Sequence, residues 1–170
     1  MKRYMRYILA GSVVIVAVAA PVLFQLTSAT ATDIVTLTVK DNGFAFDGKD
    51  IHISNYAPGS RAEITYVIVN KSENKIKPEI YLRLNVDPST YSLGKNYNTT
   101  PSYYSDWVDV PMCGTISPGD TKMYNVVLRV PADCQEVFPE KWAFKVGVDP
   151  GNQDGMMSNT CAVWWRVDMK

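Results

Sequence analysis

The chain has 170 residues, 17 basic and 17 acidic side chains, and is 46% hydrophobic and 20% charged, a length for one domain and a composition that excludes disorder. Lys2, Arg3 and Arg6 precede a hydrophobic run, and removing these three from the 17 basic residues leaves 14 against 17 acidic ones. A mildly acidic domain has no electrostatic reason to bind nucleic acid, which needs clustered Lys and Arg.

The first element is an export segment. Lys2, Arg3 and Arg6 form a positive start, and between residues 8 and 26 only Ser12 and Gln25 are clearly polar. Ala29-Thr30-Ala31 then supplies the small residues that a signal peptidase reads, which predicts cleavage before Thr32. The run of 19 residues is also close to the roughly 20 that span a bilayer, so an uncleaved hydrophobic helix acting as membrane anchor is the competing reading. Both readings divide the chain into a leader or anchor at 1–31 and an extracytoplasmic domain at 32–170, extracellular or on the outer face of the cytoplasmic membrane.

After residue 32 the pattern alternates with period two. Val35, Leu37 and Val39 alternate with Thr36 and Thr38, and Asn42-Gly43 turns the chain toward Phe44 and Phe46. Ile51 and Ile53 form a short piece ending near Tyr56. Pro58-Gly59 leads into Ala62, Ile64, Tyr66 and Ile68, and then Ile80, Leu82, Leu84 and Val86 alternate. Residues 87–106 are irregular, with a short strand expected at Trp107, Val108 and Val110. Pro118-Gly119-Asp120 opens a strand through Tyr124, Val126, Leu128 and Val130, which Pro131 ends because proline cannot donate to a ladder. Trp142, Phe144, Val146 and Val148 alternate next, and Val163, Trp165, Val167 and Met169 close the chain. Seven or eight strands separated by Pro-Gly and Asn-Gly turns predict an all-β antiparallel sandwich. A closed barrel is the alternative, which the unequal loop lengths disfavour.

Two segments carry a resemblance. Ala57-Pro58-Gly59-Ser60 runs into a strand ending Val67-Ile68-Val69-Asn70, and Ser117-Pro118-Gly119-Asp120-Thr121 into one ending Val130-Pro131-Ala132-Asp133. Both resemble Ig-like extracellular sandwich modules of prokaryotic surface proteins. The chain is also similar to the camelysin-like sandwiches of biofilm fibres and to archaeal bundling pilins. It departs from that narrower group in ending Trp164-Trp165-Arg166-Val167. The resemblance implies a surface protein, and for the narrower group a filament subunit.

With an Ig-like strand order, strands at 62–70, 80–86, 107–110, 121–130, 142–148 and 162–169 serve as B to G. That order brings Cys113 and Cys161 to one end of the sandwich and Cys134 to the other, a strand of ~33 Å away, so a Cys113–Cys161 disulfide is expected. With no CxxC pair, no metal site and no cofactor are expected.

No catalytic motif appears, and the protein is expected not to be an enzyme. The one histidine, His52, points opposite to Ile51 and Ile53, as a surface strand histidine. Asp87, Asp106, Asp109, Asp149 and Asp154 are scattered through loops and strand ends, so a hydrolase is the least favoured reading. Asp149, Asn152, Gln153 and Asp154 offer calcium ligands without the EF-hand spacing, so the loop is read as an ordinary turn.

The loop around residues 91–107 is the most informative stretch. Tyr91, Tyr97, Tyr103, Tyr104 and Trp107 are mixed with Ser, Asn, Thr and Gly, the composition of recognition loops. It suits a protein partner or a sugar, and the competing reading is a small core capping the sandwich. Asn70-Lys71-Ser72 and Asn98-Thr99-Thr100 are sequons in expected turns, hence surface markers. Trp165 is expected in the core and Trp164 outward beside Arg166.

The expectation is a non-enzymatic cell-surface protein, a structural subunit or adhesion module, meeting other protein subunits or a surface glycan. It meets the membrane through the N-terminal segment if that is retained. The alternatives are a carbohydrate-binding module or a pilus-like filament subunit that donates residues 33–40, with Val35, Leu37 and Val39, to a neighbour's sheet.

Overall fold

A computed structural model describes residues 34–84, 97–99, 102–133, 140–151 and 161–170. The export segment and its expected helix lie outside them. Among the described residues, no helix is long and apolar enough to cross a membrane.

The strands follow the alternation. They are β1 Ile34–Lys40, β2 Gly43–Asp47, β3 Ile51–Tyr56, β4 Arg61–Asn70, β5 Glu79–Arg83, β6 Asn98–Thr99, β7 Val108–Asp109, β8 Thr121–Arg129, β9 Lys141–Asp149 and β10 Ala162–Met169, with a 3-10 helix at Ser102–Trp107. One sheet has the order β2-β1-β4-β8-β7. The other runs β3-β10-β9-β5, with β6 also beside β9. With β4, β8 and β7 as B, E and D, and β5, β9 and β10 as C, F and G, these are the two sheets of an Ig-type sandwich.

The sheets are mixed rather than antiparallel. β1 runs parallel to β4, β3 parallel to β10, and β6 parallel to β9. Alternation reports which face of a strand is buried, not the direction of its neighbour, so the pattern could not reveal this.

Period-two burial builds the core. Alternate residues of β1 and β4, from Val35, Leu37 and Val39 to Ala62, Ile64, Tyr66 and Ile68, face Trp142, Phe144, Val146, Val163, Trp165 and Val167 of the opposite sheet. Two polar links cross the sandwich. Trp165 Nε1 donates to Tyr66 Oη at 3.2 Å. Tyr56 Oη donates to the carbonyls of Ser60 and Leu128 at 2.7 and 3.1 Å, tying the end of β3 to β8. Buried hydroxyls need such partners.

β1 is a built-in strand. It is bonded on one side to β2 and on the other to β4, and Val35, Leu37 and Val39 are at most 3% exposed. This corrects the donated-strand expectation, because withdrawing β1 would strip three core side chains and two ladders from its own sheet.

Candidate functional site

The outer face of the β3-β10-β9 sheet carries a polar cluster. Ile51 and Ile53 point into the core, so His52 points out, as its alternation predicts. On β10, Trp165 and Val167 point in, so Arg166 and Asp168 share the outer face. The parallel register places Arg166 beside His52, and the antiparallel one places Asp168 beside Lys141. Three strands distant in sequence thus bring an imidazole, a guanidinium, a carboxylate and an ammonium together.

His52 Nε2 lies 3.0 Å from Asp168 Oδ2 and 3.3 Å from Tyr97 Oη. Lys141 Nζ is 3.8 Å from the same carboxylate oxygen. Arg166 Nη2 donates to Asp50 Oδ2 at 2.7 Å, and Asp50 Oδ1 accepts the Trp164 backbone N–H at 3.2 Å. The Tyr97 ring stands between two cations, 5.8 Å from Lys141 Nζ and 6.0 Å from Arg166 Cζ. Burial raises the Tyr97 phenol, helped by its bond to Asp168. Arg166 Nε and Asp168 Oδ1 are buried without a hydrogen-bond partner among the described residues. Beside them opens a shallow cleft of ≈ 500 Å³ lined by Pro58, Glu140, Lys141, Asp168, Met169 and Lys170.

Chemically this is an aromatic ring set among donors and acceptors, the equipment of a polar contact surface. Both contacts to the imidazole meet its Nε2 atom. No described serine or cysteine is bonded to His52, so the histidine–aspartate pair has no attached nucleophile among the described residues.

The aromatic loop divides. Tyr97 reaches the outer face, while Tyr104 and Trp107 belong to the core, 1% and 8% exposed. Tyr104 stacks on Trp107 with centroids 4.0 Å apart and meets Trp142 edge-on at 5.1 Å. This corrects their placement on a binding face: a 3-10 turn swings both rings under the loop. Tyr103 lies in that turn, and Tyr91 lies outside the described residues.

The cysteines need a correction as well. No disulfide joins Cys113 to Cys161. The Cys113 thiol meets the Ile80 backbone and the Tyr124 hydroxyl, on the far side of β5. Cys161 precedes β10, so β9 and β5 stand between the two. Two strand spacings amount to ~10 Å, beyond the roughly 7 Å that a disulfide spans. Shared height along the strands was legible, lateral position was not. Cys134 lies outside the described residues.

Other marked residues prove structural. Asn70 is fully buried: its Nδ2 donates to the carbonyls of Asn74 and Ile116, and its Oδ1 accepts from the Ser72 N–H and hydroxyl. That sequon is therefore a loop clamp rather than a surface marker. Asp149 Oδ1 caps the Gly151 N–H at 2.8 Å in an ordinary turn. Asn152, Gln153 and Asp154 lie outside the described residues, and no described group of His, Cys, Asp or Glu could hold a metal ion. Trp164 sits on the outer face, as its alternation requires, yet is only 5% exposed, with Lys145 Nζ 4.8 Å above its ring.

Neither a protein-family model nor a curated protein matches the sequence. Among solved structures, the chain is similar to the ASH/PapD-like domain 7 of human CEP192, at 9% identity and a TM-score of 0.40, covering 71% of this chain and 82% of that one. It is also similar to SSP-19, an MSP-domain protein-like family member of Caenorhabditis elegans, at 15% identity and TM-score 0.28, covering 69% and 94%. A multicopper oxidase of Aquifex aeolicus shares 12% identity at TM-score 0.34, covering 83% of this chain but 30% of the oxidase.

Proposed function

We propose that this chain is an exported, surface-displayed sandwich module that works by binding rather than by catalysis, with the outer face of β3, β10 and β9 as its contact surface. The observation that carries this reading is Tyr97. It reaches the sheet face from a long connection, has its hydroxyl 3.3 Å from His52 Nε2, and sets its ring 5.8 Å from the Nζ of Lys141, a residue that lines the cleft of ≈ 500 Å³. Loops on a rigid sandwich are where recognition residues concentrate. Export rests on the N-terminal sequence: three basic residues, a long apolar run and Ala29-Thr30-Ala31. The partner is another surface protein. A surface glycan is the second reading, favoured by an aromatic ring beside the Asp168 carboxylate and the Arg166 guanidinium.

A phosphatase reporter fused after Lys170 in the full chain should be active only on the outside of the cytoplasmic membrane. Cells displaying the full chain should bind partner cells or immobilised surface polysaccharide, and Tyr97→Ala should abolish binding with the melting temperature unchanged. Reporter activity confined to the cytoplasm, or undiminished binding by Tyr97→Ala, would sink the proposal.

A further inference from the structure

The outer face of β1, β4 and β8 carries three rows without charge. Outward parity and register place Ile34, Thr65 and Asn125 in one row, Thr36, Val67 and Met123 in the next, and Thr38, Val69 and Thr121 in the third. Ile34 is 55% exposed and Met123 71%. Their strands are two spacings apart, ~10 Å across the face.

Charge sits at the ends and sides of these rows. Arg61 and Arg129 stand opposite each other in register at one end, and Lys40 closes the other. Arg61 pairs with Glu63, while Arg129 has no ion-pair partner among the described residues. Two cations placed directly across strands repel, and an anionic group outside the protein relieves that repulsion. Asp47 and Asp109 lie to the sides, on β2 and β7.

The chain reaches this face directly from its apolar run. Ile34 follows Leu26, the end of that run, by eight residues, at most about 29 Å of extended chain. The run is close to the length that spans a bilayer, and its basic flank places the residues after it outside. A face on so short a tether meets the bilayer at an effective concentration in the millimolar range, where a weak contact suffices.

We propose that the outer face of β1, β4 and β8 lies on the outer leaflet of the cytoplasmic membrane, with Ile34 and Met123 among the headgroups and Arg61, Arg129 and Lys40 against lipid phosphates. This rests on the export reading and takes residues 1–31 as retained. Apolar side chains flanked by cations are what an interfacial contact uses. The two sheets stack face to face, so the Tyr97 face of β3, β10 and β9 is turned away from the membrane, toward partners.

Peroxide oxidation tests this on two native methionines. The full chain is placed in vesicles of phosphatidylcholine and phosphatidylglycerol, treated with dilute peroxide, and read by peptide mass spectrometry. In the fold both Met112, 97% exposed, and Met123 are open to water. Thioether oxidation follows exposure, so on the membrane Met123 should oxidise about threefold or more slowly than Met112. Val67→Glu, in the row of Met123, should bring the two rates together with the melting temperature unchanged. Thr38→Glu, in the next row, should act likewise. Diluting the chain until copies are isolated should leave the wild-type difference intact. Equal rates in the wild type, a difference that both glutamate variants leave unmoved, or a difference lost on dilution, the mark of a second copy on the face, would each overturn the proposal. A chain recovered from cells with Thr32 as its first residue would overturn it too. A reporter after Lys170 that stays active outside would then leave the export reading standing.

Discussion

The two outer faces of the sandwich are built differently. On β4 the outward residues are partly wet, alternating with buried ones along the whole strand. On β9 seven consecutive residues are buried, inward and outward alike. The first face is lined by Thr36, Thr38, Thr65 and Val67, with Met123 71% exposed. The second holds Trp164 under Lys145, Tyr81 against Gly147, and Tyr97 between Lys141 and Arg166. One sheet is amphipathic, the other is covered on both sides, and the polar cluster around His52 gathers on the covered one. A covered face can hold side chains in fixed positions, which a wet face does not.

Matched substitutions test that contrast most severely. Trp164→Ala on the outer face of β10 should cost about 3–5 kcal/mol, as large aromatic truncations in packed sites do. Met123→Ala on the other outer face should stay within about 0.5 kcal/mol. Urea unfolding of both gives the comparison, and similar costs would erase it. Gly147→Ala is a narrower probe. A Cβ there would overlap the Tyr81 ring, so the ring must leave the face. The expected loss is about 1–3 kcal/mol, read as a lower urea midpoint.

Alkaline titration probes the links across the sandwich. Burial raises the Tyr56 phenol from 10.0 to about 12 and raises Tyr66 further. The unfolded chain ionises first, so the stabilisation is fully present below pH 10 and is lost as pH rises toward 12. Stability measured across that window should fall, and Tyr56→Phe should flatten the fall. The exposed ion pair contributes little: Asp50→Asn should cost under about 1 kcal/mol, since the partners lie partly in water.

Asn70 and the aromatic loop show where sequence reading stops. The triplet Asn70-Lys71-Ser72 reads as a modification signal, yet its amide fills four hydrogen bonds inside a loop. Glycosylation should be absent from Asn70 in the folded protein, which peptide mass spectrometry checks. Tyr97, Tyr104 and Trp107 look equivalent in composition, but only a three-dimensional turn separates one surface ring from two core rings. His52 could be placed on an outer face by parity. Its partners Asp168 and Tyr97 could not be named, being 116 and 45 residues away in the chain.

Read alone, the sequence located the strands other than β6, the core-facing residues of those strands, and the roles of β4, β5, β7, β8, β9 and β10 as B, C, D, E, F and G. Those features depend on local alternation and turn chemistry, which neighbouring residues carry. Only the tertiary structure decided the parallel pairings of β1 and β3, the separation of Cys113 from Cys161, the second buried face of β9, and the uncharged rows across β1, β4 and β8. Each depends on which strand lies beside which, a long-range choice that no local pattern encodes.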